Sequence, residues 1–198
     1  MILPRRFYSD EVNSVARKLL GKKLVHIVHG TRISGIINET EAYDGEKDLA
    51  CHARNGKTTR NAVMYGSSGI AYIYFTYGLH WMLNCVCGKE GYPAAVLIRS
   101  VVPIEGLCDI QEIRSPIPKR DWTNGPAKLA KAFSINGSLN GVDLTRKKNN
   151  IWIEYGMRIS EQLVFRTPRI GIENTPEPWK SKSWRYFVKP VEIKPKRI

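Results

Sequence analysis

Ile33-Ser34-Gly35-Ile36-Ile37-Asn38-Glu39-Thr40-Glu41-Ala42-Tyr43 is the stretch from which the fold can be read. Side chains alternate across a strand, so Ile33, Gly35, Ile37, Glu39, Glu41 and Tyr43 are expected to share one face. That face starts apolar and then carries two carboxylates and a tyrosine. Residues 24–28 form a second apolar run just upstream, and His29-Gly30 supplies turn residues between the two, which predicts a hairpin.

Working outward, Val12, Val15, Ala16, Leu19 and Leu20 recur at helical spacing. They predict a helix over residues 10–20, capped by Ser9 or Asp10 and ended by Gly21. Residues 70–77, 81–87 and 94–102 read as three further strands, with turns at Gly78 and over residues 88–93. Helices are expected over 104–114 and 126–135, the second with Pro126 in its first turn and Asn136-Gly137 after it. Residues 151–155 and 185–188 read as late strands. Short connections between successive strands favour antiparallel pairing. The expectation is an α+β fold, a single domain over residues 1–198, with a curved and mainly antiparallel sheet flanked by helices.

The chain has 198 residues, 42% of them apolar, enough to build a core and to set disorder aside. Lys and Arg number 31 against 18 Asp and Glu, a net charge of +13 that points to a polyanionic partner. No run approaches the ~18 apolar residues of a membrane span, and Tyr8-Ser9-Asp10-Glu11 stands where a secretory signal would have its apolar stretch. A cytoplasmic protein is therefore expected, nucleoid-associated if bacterial, and not secreted. Cys51, His52, Cys85 and Cys87 could form a zinc site, but neither pair has Cys-x2-Cys spacing. Buried reduced thiols, with no metal and no cofactor, are the expectation.

The charge is unevenly spread. Residues 31–60 carry five basic and five acidic side chains, residues 114–148 eight basic and two acidic, and residues 180–198 seven basic and only Glu192. Acidic groups inside a balanced segment of a basic chain can have work other than solubility. Glu41 could simply emerge into solvent at the end of its strand, or it could be held beside an apolar cavity as a general base. Tyr72, Tyr74 and Tyr77 lie in one strand, where they could pack across strands or stack on nucleobases. Tyr77-Gly78, at a turn, could present a ring as a wedge.

In combination these residues become specific. Glu39-Thr40-Glu41-Ala42-Tyr43, then Asp48, His52, Arg60-Asn61 and Met64, then residues 72–80 from Tyr72 through Tyr77-Gly78 to His80, Asn84 and Ala95-Val96-Leu97-Ile98-Arg99 resemble the alkyladenine (methylpurine, 3-methyladenine) DNA glycosylase family. Gly125-Pro126-Ala127-Lys128-Leu129 and Arg169-Ile170-Gly171-Ile172 fit as well, so the resemblance spans nearly the whole chain.

The resemblance implies a metal-free enzyme of base excision repair. Its substrate would be double-stranded DNA containing alkylated or deaminated purines, its reaction hydrolysis of the N-glycosidic bond, and its state a monomer. Glu41 corresponds to the base that activates water, and Arg99 with the Ile170 carbonyl to groups that help hold it. Tyr43, His52 and Tyr74 correspond to the residues that sandwich the flipped base, Asn84 to the one that obstructs the guanine amino group, and Tyr77 to the side chain that fills the vacated stack. Bases alkylated on ring nitrogens are cationic, which suits the faces of Tyr43 and Tyr74. Tyr65, Leu79, the short 55–59 loop and residues 175–182 depart from the family pattern and bear on lesion preference. A non-enzymatic nucleic-acid-binding module would share the charge and the tyrosines, but would leave Glu41 with Arg99 unexplained.

Overall fold

The hairpin at His29-Gly30 forms, with both residues at positive φ (47° and 83°), the backbone that a two-residue turn requires. A computed structural model of the chain describes residues 1–193; the basic positions Lys194, Lys196 and Arg197 lie outside the described residues. The elements are α1 (Arg5–Tyr8), α2 (Val12–Leu19), β1 (Lys23–Val28), β2 (Thr31–Asp44), β3 (Ala71–Thr76), β4 (His80–Cys87), β5 (Ala94–Glu105), α3 (Leu107–Arg114), α4 (Pro126–Ala132), β6 (Ile151–Glu154), β7 (Phe165–Thr167) and β8 (Arg185–Phe187). The eight strands form one antiparallel sheet in the order β3-β4-β5-β2-β1-β6, with β8 on β2 and β7 on β8. The fold is α+β, as the sequence predicts.

β2 carries the architecture. β5 pairs with it along one edge from Ser34 to Asp44. Along the other edge β1 covers its first half, and β8 takes over at Glu39, Thr40 and Glu41. α2 packs Val12, Val15, Ala16 and Leu19 into the main core together with Ile33, Ile36 and Ile37, and Thr40 Oγ1 donates to the Ala16 carbonyl. Each of these valine, leucine and isoleucine side chains, once buried, contributes about 1.5–3 kcal/mol. A smaller cluster of Cys51, Ala53, Met64, Tyr72, Val86 and Ala95 supports Tyr43 and Tyr74 on the other side.

Several expectations need correction. Strict alternation does not run the length of β2, because the register with β5 shifts between Ile37 and Glu39 and again between Glu39 and Thr40. Ile36 and Ile37 therefore both enter the main core, and Ile37 does not share a simple face with Glu39 and Glu41. α2 begins at Val12 behind Glu11, without a side-chain cap; Asp10 instead accepts from Ser14 Oγ and Lys18 Nζ. β5 runs on to Glu105, so α3 starts only after Gly106, whose φ of 69° breaks the strand. α4 stops at Ala132, with Ser134 at φ 51°. β7 has no counterpart in the sequence reading. Cys51, Cys85 and Cys87 are buried free thiols, whereas Cys108 is exposed.

Candidate active site

The sheet positions a cavity of about 230 Å³ lined by Tyr43, His52, Met64, Tyr74, Asn84, Leu97, Arg99 and Ile170, among others. It opens onto a groove of about 920 Å³ that carries Arg54, Arg60 and residues 171–176. Tyr77 borders both. Every candidate except Glu41 thus lines the cavity itself.

The aromatic wall is built from β3 and the loop after β2. His52 and Tyr74 stand edge to face with centroids 4.4 Å apart. That is well short of the ~7 Å a planar ring would need to enter between two others, so a stacked ligand fits against this pair and not within it. His52 Nδ1 lies 2.8 Å from the Tyr72 hydroxyl. Asn61 holds the loop that bears His52: its Nδ2 donates to the carbonyls of His52 and Gly56, and its Oδ1 accepts from the Thr58 N–H. Desolvation, followed by the charges of Arg60 and Arg54, pushes the His52 pKa down to about 4, so the ring is neutral at neutral pH. Asn84 is buried and donates Nδ2 to the Tyr72 carbonyl at 3.0 Å, which fixes the orientation of its amide beside the cavity.

Glu41 is sealed behind three lining residues. Its Oε1 accepts the Ile170 main-chain N–H at 2.8 Å; its Oε2 accepts the Tyr43 hydroxyl at 3.0 Å and faces Arg99 Nη1 at 3.2 Å. Ile170 thus meets Glu41 through its main-chain N–H, a contact separate from the one expected between its carbonyl and the water. A carboxylate offers about four acceptor positions, so spare capacity remains. Burial raises the Glu41 pKa, and Arg99, the Ile170 N–H and the Tyr43 hydroxyl work against that rise. A carboxylate desolvated beside a cavity, yet hydrogen-bonded in place, has the properties of a general base.

Two further ion pairs frame the site, and neither was recognised from sequence. Glu39 Oε1 accepts from Arg99 Nε and from Arg185 Nε, both at 2.7 Å. Arg169, fully buried, clamps the fully buried Asp48 with both of its Nη groups and also donates to the Ala42 carbonyl at 2.8 Å. Its guanidinium lies 4.7 Å from the Tyr43 ring centroid and 5.1 Å from that of Trp184. Asp48 and Arg169 stand out individually in the sequence, but nothing there shows that they meet across 121 positions.

Tyr77 sits at the tip of the β3–β4 hairpin with 87% of its surface exposed. Its φ is 52° and that of Gly78 is 65°, so the turn projects the ring away from the sheet. The residues of the zinc reading are not brought together: Cys85 and Cys87 point into the main core, while Cys51 belongs to the smaller cluster. Among the described residues no group of three or more His, Cys, Asp or Glu side chains is arranged to hold a metal, and no helix is long and apolar enough to cross a membrane.

A family model described as methylpurine-DNA glycosylase (MPG) matches residues 6–191. The chain is 43% identical over 189 residues to a protein of Carboxydothermus hydrogenoformans, covering 96% of each. It is also 43% identical over 189 residues to one of Methanocella arvoryzae, covering 95% of this chain and 92% of the relative. A protein of Chlorobium phaeobacteroides is 40% identical over 188 residues, covering 94% and 93%. All three relatives carry the provisional name 3-methyladenine DNA glycosylase.

Proposed function

Because the chain belongs to the methylpurine-DNA glycosylase family, a family of hydrolases that cleave N-glycosyl bonds in DNA, we propose that it flips alkylated or deaminated purines out of duplex DNA and hydrolyses their glycosidic bond, initiating base excision repair. It acts as a monomer, in the cytoplasm, on damaged double-stranded DNA. The observation that carries this reading is Glu41: a buried carboxylate held by Ile170, Tyr43 and Arg99 directly behind the wall of an aromatic cavity.

The reaction follows from that arrangement. A base inside a duplex is inaccessible, and extruding it costs a few kcal/mol, less where damage has weakened its pairing. Tyr77, projecting from its hairpin, enters the vacated stack and slows the base's return. The extruded base lies against the His52–Tyr74 pair with Tyr43 as the opposing surface, and Asn84 discriminates at its edge. Glu41 accepts a proton from water as that water attacks C1′, and its charge offsets the oxocarbenium character that develops there. Arg99 keeps Glu41 ionised and helps place the water. A base alkylated on a ring nitrogen already carries positive charge and departs as a neutral molecule. The basic groove beside Tyr77 receives the phosphates flanking the lesion, giving sequence-independent affinity that falls with salt.

The test compares wild type with Glu41→Gln on duplexes containing 3-methyladenine, hypoxanthine or ethenoadenine. Retained binding with base release lost by about 10²–10⁴-fold is expected for a general base. Failure of the wild type to release any of these bases would overturn the reading.

A further inference from the structure

We propose that Glu39 is a positioning residue for this hydrolysis, anchoring the Nε of Arg99 so that only the outer end of that guanidinium reaches Glu41. The inference rests on Glu41 acting as the base. Its starting point is the irregular ladder between β2 and β5. Ile98 pairs with Thr40 and Ser100 with Glu39, which leaves Arg99 between them without a partner. Such a bulge re-aims a side chain, but it does not hold a long, flexible arginine in one rotamer.

Without a second anchor, Arg99 would be free to fork onto Glu41 through two parallel N–H bonds, the favoured geometry for an arginine–carboxylate pair. That pairing would occupy both oxygens of the base. Glu39 prevents it. With Nε committed to Glu39 Oε1 at 2.7 Å, Arg99 meets Glu41 through Nη1, 3.2 Å from Oε2. Oε1 accepts the Ile170 N–H and keeps a further acceptor position for a proton donor.

Arg185 extends the anchor to the far side of the site. Its Nε shares the same Glu39 oxygen at 2.7 Å, and its Nη1 donates to Thr167 Oγ1 at 3.0 Å. Thr167 ends β7, three residues before Ile170. Glu39 thereby joins β2, β5 and β8 and steadies the approach to the loop that supplies the Ile170 N–H. The four charged groups, Glu39, Glu41, Arg99 and Arg185, cancel to zero. Removal of one carboxylate leaves the arginines in excess beside the base.

The groups facing Glu41 are Arg99 from β5, Tyr43 and Glu39 from β2, Tyr74 from β3 and the Ile170 N–H, with Arg185 of β8 behind Glu39. Glu39→Gln alters only one of them and keeps its size. The negative charge of Glu39 raises the Glu41 pKa, so its loss moves the acid limb of the rate profile to lower pH. The single-turnover excision rate of Glu39→Gln is expected to fall about tenfold or more, as misplacement of a catalytic group does, with little change in affinity for lesion DNA. Glu39→Asp retains the charge and is expected to return the acid limb to its wild-type position. Arg185→Gln, at a more exposed position, removes a positive charge and shifts the limb the other way, which keeps the test available if Glu39→Gln does not fold.

A folded Glu39→Gln with wild-type rate and an unmoved acid limb overturns the proposal. So does an Arg185→Gln limb displaced to lower pH. Either result, obtained while the wild type excises and Glu41→Gln does not, removes the role of Glu39 and leaves the glycosylase reading intact. Absence of excision by the wild type removes the glycosylase reading itself.

Discussion

Arg169 and Asp48, 121 positions apart in the chain, face each other wholly shut off from solvent, with Arg169 Nη2 2.9 Å from Asp48 Oδ1 and Nη1 on the other oxygen. Arg169 is also the residue before Ile170, so the pair holds the segment whose N–H engages Glu41. Removing one partner leaves a buried, uncompensated charge at a cost of about 3–5 kcal/mol. Asp48→Asn and Arg169→Met should each lower stability by that order in denaturant titrations. The double replacement should cost less than the two singles added together, as expected for residues in direct contact.

Glu41 should set the acid limb of excision. Burial holds its carboxyl above the ordinary value of 4.5, and the base must be ionised to accept a proton. Activity is therefore full above that raised value and falls as pH drops through it. Measured kcat/KM on a lesion duplex, which reports groups of the free enzyme, should show this limb above the range of an exposed glutamate. A limb at or below pH 4.5 would contradict the assignment.

Tyr77 should matter for DNA and little for folding. Its ring is exposed and contributes no core contact, so Tyr77→Ala should change stability by no more than about 0.5 kcal/mol. Affinity for lesion duplexes and the rate of base capture should both drop. Equal lesion affinity in the variant and the wild type would remove Tyr77 from the role of wedge.

His26 should make the fold acid-sensitive. It is buried on β1 and donates Nδ1–H to the Phe133 carbonyl at 2.7 Å, and desolvation lowers its pKa below 6.5. As pH falls through 6.5 the unfolded chain takes up a proton that the folded chain resists. Stability is thus complete above about pH 6.5 and declines below it. His52 acts in the same direction. Denaturation midpoints at pH 7.5 and 5.5 should differ less in His26→Gln than in wild type.

Features governed by neighbours in the chain were legible in the sequence. The turns at His29-Gly30 and Tyr77-Gly78 follow from short connections between apolar runs, and the stripe of Val12, Val15, Ala16 and Leu19 gives α2. β7 was not legible: three residues, two of them exposed, carry no apolar alternation and pair only because β8 stands beside them. The two register shifts at Glu39 were equally hidden, since a bulge is a relation between strands and leaves no mark on either strand alone.

The residue types at the site, Glu41 with Tyr43, the tyrosines of β3, and Arg99 after its apolar run, were set by the sequence itself, because their order and spacing are properties of one dimension. Tertiary structure alone decided which charges meet. Glu39 joins Arg99 to Arg185 and Asp48 joins Arg169 only after β8 and the 168–172 segment return to β2, more than a hundred residues later. Ion pairing and desolvation depend on distance in space. They come into being when the sheet closes, and with them the environment that makes a base of one glutamate and an anchor of its neighbour.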